Sequence, residues 1–139
     1  MMRTGRSSGC FTATEMKIIL DTPIFLWCLA EPQHLSDRQR NEIETLANTI
    51  LVSSISIAEI MIKSSLGKLT LSFNPVEKAI ESGFELLDFS AADALLLGTL
   101  PFHHRDPFDR MLIAQSISNN YPIISNDKKL QSYKCRTIG

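Results

Sequence analysis

The chain has 139 residues, of which 44% are hydrophobic and 21% charged, and its formal net charge is −1. That length suits one domain with its own core, and that composition excludes a disordered chain. Near-neutrality excludes a general nucleic-acid coat protein, but not an enzyme that meets nucleic acid through a local basic patch and a bound cation.

No apolar run is long enough to cross a bilayer, so no membrane partner is expected. The first residues, MMRTGRSSGCFTATE, are polar and lack the apolar middle of a signal peptide. Core-like sequence begins at MKIILD. Met16 therefore reads as the natural start, residues 1–15 as an extension outside the fold, and residues 16–139 as the domain. Cys10, Cys28 and Cys135 are odd in number and widely spaced, with no CxxC. They read as thiols in a reducing cytoplasm, not as a disulfide framework or a zinc site.

In chain order, KIILD (17–21) is a short β-type run ending in an acid. TPIFLWCLAE reads as a helix with Thr22 as N-cap and Pro23 at the first helical position. Ser36 and Gln39 stand at capping-box spacing and start a second helix. TILVS (49–53) is a buried strand, and SISIAEIMIKSSLGK a third helix ended by Gly67. Asn74 caps a further helix with Pro75 behind it, and Gly83 stops it. FELLDF (84–89) is a strand, and SAADALLLGTL a helix with Ser90 and Asp93 at capping spacing. Asp106 followed by Pro107 opens a helix that runs to about Asn119. YPIIS (121–125) is a strand, DKKLQSY a short helix and CRTIG a last edge strand. Short continuous apolar strands that alternate with helices predict an α/β fold, a parallel sheet covered on both faces. Such sheets bind ligands outside the carboxyl ends of their strands.

Four acids fall near that edge. Asp21 ends the first strand. Glu59 is placed in the first turn of the helix after TILVS. Asp109 is in the first turn of the helix that Asp106 opens, and Asp127 lies two residues past YPIIS. Each also has a plainer role: Asp21 bonding the following helix, Glu59 in a capping box with Ser56, Asp109 favouring the helix dipole, Asp127 making a turn or cap. Together, four carboxylates in one cleft would repel one another unless a divalent cation joined them. Hard oxygen ligands of this kind suit Mg²⁺ or Mn²⁺.

The segments ILDTPIFLW, SISIAEIMIKSSLGKL, LPFHHRDPFDRMLIAQ and PIISND resemble the PIN-domain ribonucleases, and more closely the VapC-type toxins of bacterial toxin–antitoxin pairs. The resemblance runs from about Met16 to the C-terminus. It implies a three-layer α/β/α sandwich with a small parallel sheet and an acidic site on Asp21, Glu59, Asp109 and Asp127. Ser125 stands where the family has Ser or Thr near the site, and Asp106 belongs to the same block and is expected beside it. Pro23 departs from the pattern, since relatives often carry histidine there.

The implied chemistry is phosphodiester hydrolysis by metal-activated water. Asp21, Asp109 and Asp127 are the expected metal ligands, and Glu59 either a ligand or the group that orients the water. DTP has the wrong spacing for a phosphatase nucleophile, and there is no P-loop or GxGxxG. Arg105, Arg110, Lys128, Lys129, Lys134 and Arg136 are placed to grip RNA phosphates, or else form a solvated face. Arg110 has a second option, pairing with a carboxylate. His103 and His104 have no partner at zinc spacing and read as loop groups or as support for the site. Phe25 and Trp27 read as core or a shared subunit face rather than as base-stacking groups. A cognate antitoxin covering the cleft and a homodimer are expected, with TPIFLWCLAE and SISIAEIMIKSSLG as the candidate faces. The competing functions are a catalytically silent interaction module, which should have lost one of the four acids, and a DNA-directed nuclease of the same fold.

Overall fold

Each strand begins where a polar stretch gives way to an apolar run, and the computed structural model, which describes residues 15–139, follows those runs closely. The expected extension lies, apart from Glu15, outside the described residues. The strands are β1 (Lys17–Leu20), β2 (Thr49–Ser53), β3 (Glu85–Leu87), β4 (Ile123–Ile124) and β5 (Thr137–Ile138). The helices are α1 (Thr22–Ala30), α2 (Asp37–Glu44), α3 (Ser54–Ser65), α4 (Pro75–Glu81), α5 (Ala91–Leu95) and α6 (Pro107–Asn119). Short 3₁₀ turns cover Pro32–His34, Leu96–Gly98 and Lys128–Ser132.

All five strands are parallel, in the order β3-β2-β1-β4-β5. The chain builds outward from β1 to β2 and β3, then crosses back to place β4 and β5 on the other side. The switch point therefore lies between β1 and β4, where a crevice opens at the carboxyl edge. The alternation of a strand separates two cores. Ile18 and Leu20 join Ile50, Val52, Phe25, Ile43 and Ile60 on one face. Ile19 joins Leu51, Ile123, Leu112 and Ile113 on the other. This is the expected α/β/α sandwich.

The caps explain where the helices start. Ser36 and Gln39 form the predicted capping box of α2, and Ser90 with Asp93 that of α5. Asn74 caps α4, and Gly83 ends it at φ 83°, a left-handed turn that a side chain would strain. Two starts differ from expectation. Asp21, not Thr22, caps α1, accepting the Ile24 N–H at 3.0 Å, so Pro23 is the second helical residue. Ser53 caps α3, which puts Glu59 in the second turn and outside any capping box with Ser56. Both shifts arise because the strand-end residue itself turns the chain, leaving no linker between strand and helix.

Ile19 is fully buried between α6 and the sheet, whereas Leu95 is 81% exposed. Ile19→Ala should cost about 2–5 kcal/mol in urea unfolding, and Leu95→Ala no more than about 0.5 kcal/mol. Equal losses would contradict the described packing.

Candidate active site

The crevice at the switch point is lined by Asp21, Asp109, Asn126 and Asp127, with Pro23, Ile24 and Trp27 from α1, and has a volume of about 230 Å³. Asp21 arrives as the residue after β1. Asp127 arrives three residues after β4 has ended, and its N–H donates to the Ser125 hydroxyl at 3.0 Å. That hydroxyl also hydrogen-bonds the Asp21 carboxylate, so Ser125 ties the two strand ends together. Asp109 comes from the first turn of α6, which Asp106 caps by accepting the Phe108 and Asp109 N–H groups at 2.8 and 3.3 Å. Asp106 is thus the cap that its sequence position predicts, and its charge acts on Asp109.

Glu59 approaches from α3. It is buried, its Oε1 lies 2.7 Å from the Thr22 hydroxyl, and its Oε2 pairs with Lys63 at 2.6 Å. It lines the adjoining pocket rather than the crevice itself, and its field reaches Asp109. Sequence reading missed Thr22 in this role, because a threonine after a strand-end acid looks like a cap.

Of the two readings open for His103 and His104, loop group or support for the site, His104 takes the second. It is buried, and its Nε2 lies 2.7 Å from Asp127 and 2.9 Å from Asp109. Its Nδ1 accepts the Asp106 N–H at 3.2 Å, so Nε2 is the nitrogen that bears the hydrogen; it donates to Asp127, with the Asp109 carboxylate in ion-pair range beside it. Two histidines directly before the Asp106 cap were the available sign, since a short loop ending at a site helix must point one side chain inward. Tyr133 fixes that loop: its hydroxyl accepts the His103 and His104 N–H groups at 3.0 and 2.9 Å and donates to the Pro101 carbonyl at 2.8 Å.

Arg110 is a correction. It does not face the acids or open solvent. It is buried, donates to the Pro101 and Leu100 carbonyls at 2.9 and 3.3 Å, and lies 4.1 Å from the Phe102 ring centre. One residue past Asp109 on a helix, it points roughly a hundred degrees away, toward the loop. Its role is to hold the segment that carries His104. Arg136 likewise donates to the Asn120 carbonyl, while Lys128, Lys129 and Lys134 are exposed. Asn126 was also missed: its Oδ1 accepts from Gln39 at 2.7 Å, which fastens the crevice to α2.

The acids pay electrostatically for this gathering. Burial pushes Asp21 up from 3.8 to about 7, with repulsion from Asp109 and Asp127 adding to it and the Ser125 and Ile24 hydrogen bonds opposing it. Burial also pushes Asp109 to about 6, with Asp106, Glu59 and Asp127 repelling and His104 attracting. Burial raises Asp127 too, but the Lys129 N–H and His104 outweigh it, and its carboxyl ends below its ordinary value. The donor set fits a hard divalent cation: carboxylates on three separate segments, two of which burial and mutual repulsion hold toward the neutral form. The ligand atoms that lie within 4.8 Å of one another belong to His104, Asp109 and Asp127, a set that shares two of the three expected ligands and has His104 in place of Asp21.

A model of the PIN domain matches residues 18–134. No curated protein matches the chain in sequence. Among solved structures, the chain is similar to one in VapBC2 from Rickettsia felis bound to a DNA fragment from their promoter, at 23% identity and TM-score 0.68, covering 88% of this chain and 98% of that one. It is similar to one in DNA-bound VapBC from Salmonella typhimurium, at 18% identity and TM-score 0.62, covering 88% and 97%. It is also similar to one in VapBC-5 from Mycobacterium tuberculosis, a member of the VapBC family of toxin–antitoxin systems, at 16% identity and TM-score 0.57, covering 88% and 95%. At these identities the likeness establishes the fold.

An acid whose folded pKa is raised holds its proton more tightly when folded, so stability is lost as pH rises from about 3.8 through the folded values of about 6 and 7. With chelator present, the melting temperature should fall between pH 5 and pH 8. Asp21→Asn should melt above the parent at pH 8 and by a smaller margin at pH 5. A parent equally stable at both, with no gain in the variant, would contradict the buried-charge account. Removing the Tyr133 hydroxyl strands two loop amides, so Tyr133→Phe should cost about 1–3 kcal/mol in the same melts.

Proposed function

The chain belongs to the PIN-domain family, and on that footing we propose that it is a divalent-metal-dependent endoribonuclease, the toxin of a toxin–antitoxin pair. PIN-domain nucleases are hydrolases. The observation that carries the reading is the convergence of Asp21, Asp109 and Asp127 on one crevice at the switch point of the sheet, with Asp21 and Asp109 held toward neutral pH. A fold does not need three such carboxylates there, and the strain they impose is relieved by a cation.

Asp21, Asp109 and Asp127 would hold Mg²⁺ or Mn²⁺, which when bound supplies activated water and charge stabilisation at the phosphoryl group. The protein's own groups do the rest. Ser125 fixes Asp21, and Asp106 fixes the turn that presents Asp109. His104, through Nε2–H, aligns Asp109 with Asp127. Glu59, oriented by Thr22 and Lys63, is the group placed to direct a water molecule. Lys128, Lys129 and Lys134 are left to meet substrate phosphates, and Arg110 is not among them.

The likeness to chains from VapBC assemblies supports a protein partner that covers the crevice, and the membership of the Mycobacterium assembly in the toxin–antitoxin systems supports calling it an antitoxin. The surface of α3 suits such a partner, because Met61, Ile62 and Leu66 on and just past it are 45–62% exposed. An arginine of the partner among the acids would satisfy their charge. A homodimer completes the proposed assembly, and a cytoplasmic site suits an RNA substrate. No helix among the described residues is long and apolar enough to cross a membrane.

The test is cleavage of a mixed RNA and a matched DNA with Mg²⁺ or Mn²⁺, with EDTA, and with Asp109→Asn. RNA should be cut only with metal, and the variant should lose at least about a hundredfold in rate. Cutting that survives both EDTA and the substitution would refute the proposal, and preferential cutting of DNA would reassign the substrate.

A further inference from the structure

We propose that Trp27 is a stacking platform for an unpaired nucleobase, so that the substrate is a single strand laid from the acidic crevice across α1 toward Lys68. The proposal rests on the nuclease reading and deepens it by naming the form of the substrate. Trp27 lines the acidic crevice together with Asp21, Asp109 and Asp127. It also lines the adjoining pocket, of about 320 Å³, with Glu59, Lys63 and Lys68. Pro23 is the other residue that lines both pockets, so the indole and the proline ring form the ridge between them.

The indole is only partly buried, unlike Phe25 on the same helix, which is fully enclosed in the core. It is held in place by packing against the core and by His34, whose ring packs against it at 5.2 Å between centroids and 33° between planes. A fixed aromatic surface beside the reacting centre is what a base needs in order to stack, and any of the four bases offers a suitable face. A base inside a duplex already stacks on its neighbours and has no free face, which selects single strands. The charges on the far side differ. Lys63 is taken by Glu59, whereas Lys68 is exposed and has no ion-pair partner among the described residues. Lys68 is thus the cation available for a phosphate one step along the strand.

Trp27 is the chain's only tryptophan, so intrinsic fluorescence reports this site directly. The experiment titrates the full chain, in EDTA, with a single-stranded RNA oligonucleotide and with a duplex of the same sequence. Separately, KM and kcat are measured with metal for Trp27→Leu, Trp27→Phe and Lys68→Ala. The single strand should quench the emission in a saturable, salt-sensitive way, and the duplex should do so far less. Trp27→Leu should raise KM roughly tenfold with a much smaller change in kcat, and Trp27→Phe should restore most of the loss. Lys68→Ala should raise KM and flatten its salt dependence.

A chain that cuts single-stranded RNA without any change in emission would overturn the platform and leave the nuclease reading intact. So would equal quenching by duplex, or a folded Trp27→Leu with unchanged KM. If that variant does not fold, the parent's emission and Lys68→Ala decide. Quenching by single strands without cleavage under any metal would overturn the nuclease reading while the platform stands. Absence of both would overturn both and leave the ridge to a protein segment.

Discussion

The structure turns on one electrostatic constraint: three carboxylates must be held in a single crevice at the carboxyl edge of a parallel sheet. The topology makes the gathering unavoidable. β1 and β4 are neighbours on either side of the switch point, so residues following them meet. α6 runs back over the sheet, so its first turn opens at the same edge and delivers Asp109. Nothing in hydrophobic burial asks for acids at these places, and burial makes their ionisation harder. The surrounding hydrogen bonds are best understood as the means by which the fold tolerates them.

Those bonds form a chain of dependence that reaches well away from the crevice. Asp21 leans on Ser125 and on the amide of Ile24. Asp127 leans on Ser125 and the Lys129 amide at one side and on His104 at the other. His104 is in turn set by the Asp106 amide and by a loop that Tyr133 and Arg110 clasp from beneath. Two residues that look chemically active, an arginine and a tyrosine, therefore serve as scaffolding. The second of two histidines, expected as a loop group or as support for the site, touches both acids.

Most of the fold was legible because its markers are local. Caps at Ser36, Asn74, Ser90 and Asp106 and left-handed turns at Gly67 and Gly83 depend on one or two backbone groups, and spacing alone exposes them. The short apolar runs named the strands, and their order of appearance with helices implied parallel pairing. The acids were legible for a related reason: the end of a strand is visible in sequence, and strand ends share an edge. What sequence hid was direction. Whether Arg110 points to the crevice or to the Pro101 carbonyl depends on where a loop returns. Whether Thr22 caps a helix or meets Glu59 depends on a one-residue shift of the helix start. Trp27 packs against the core as its apolar helix predicts, and what sequence hid is the gap that the neighbouring elements leave beside it.

The arrangement also explains why the crevice sits against α1 rather than in open solvent. Asp21 is at once a helix cap, a partner of Ser125 and a crevice wall, so α1 begins within hydrogen-bond reach of the acids. Pro23 and Trp27 follow on the first two turns and become the crevice's apolar flank. Proline at the second helical position fixes the backbone there without needing the N–H that a helix start leaves unpaired. Burial beside this flank raises the proton affinity of Asp21 when no cation is near and would raise the cation affinity of the set when one is. Instability of the bare acids and attraction for a divalent ion are, on this view, two consequences of the same low-dielectric wall.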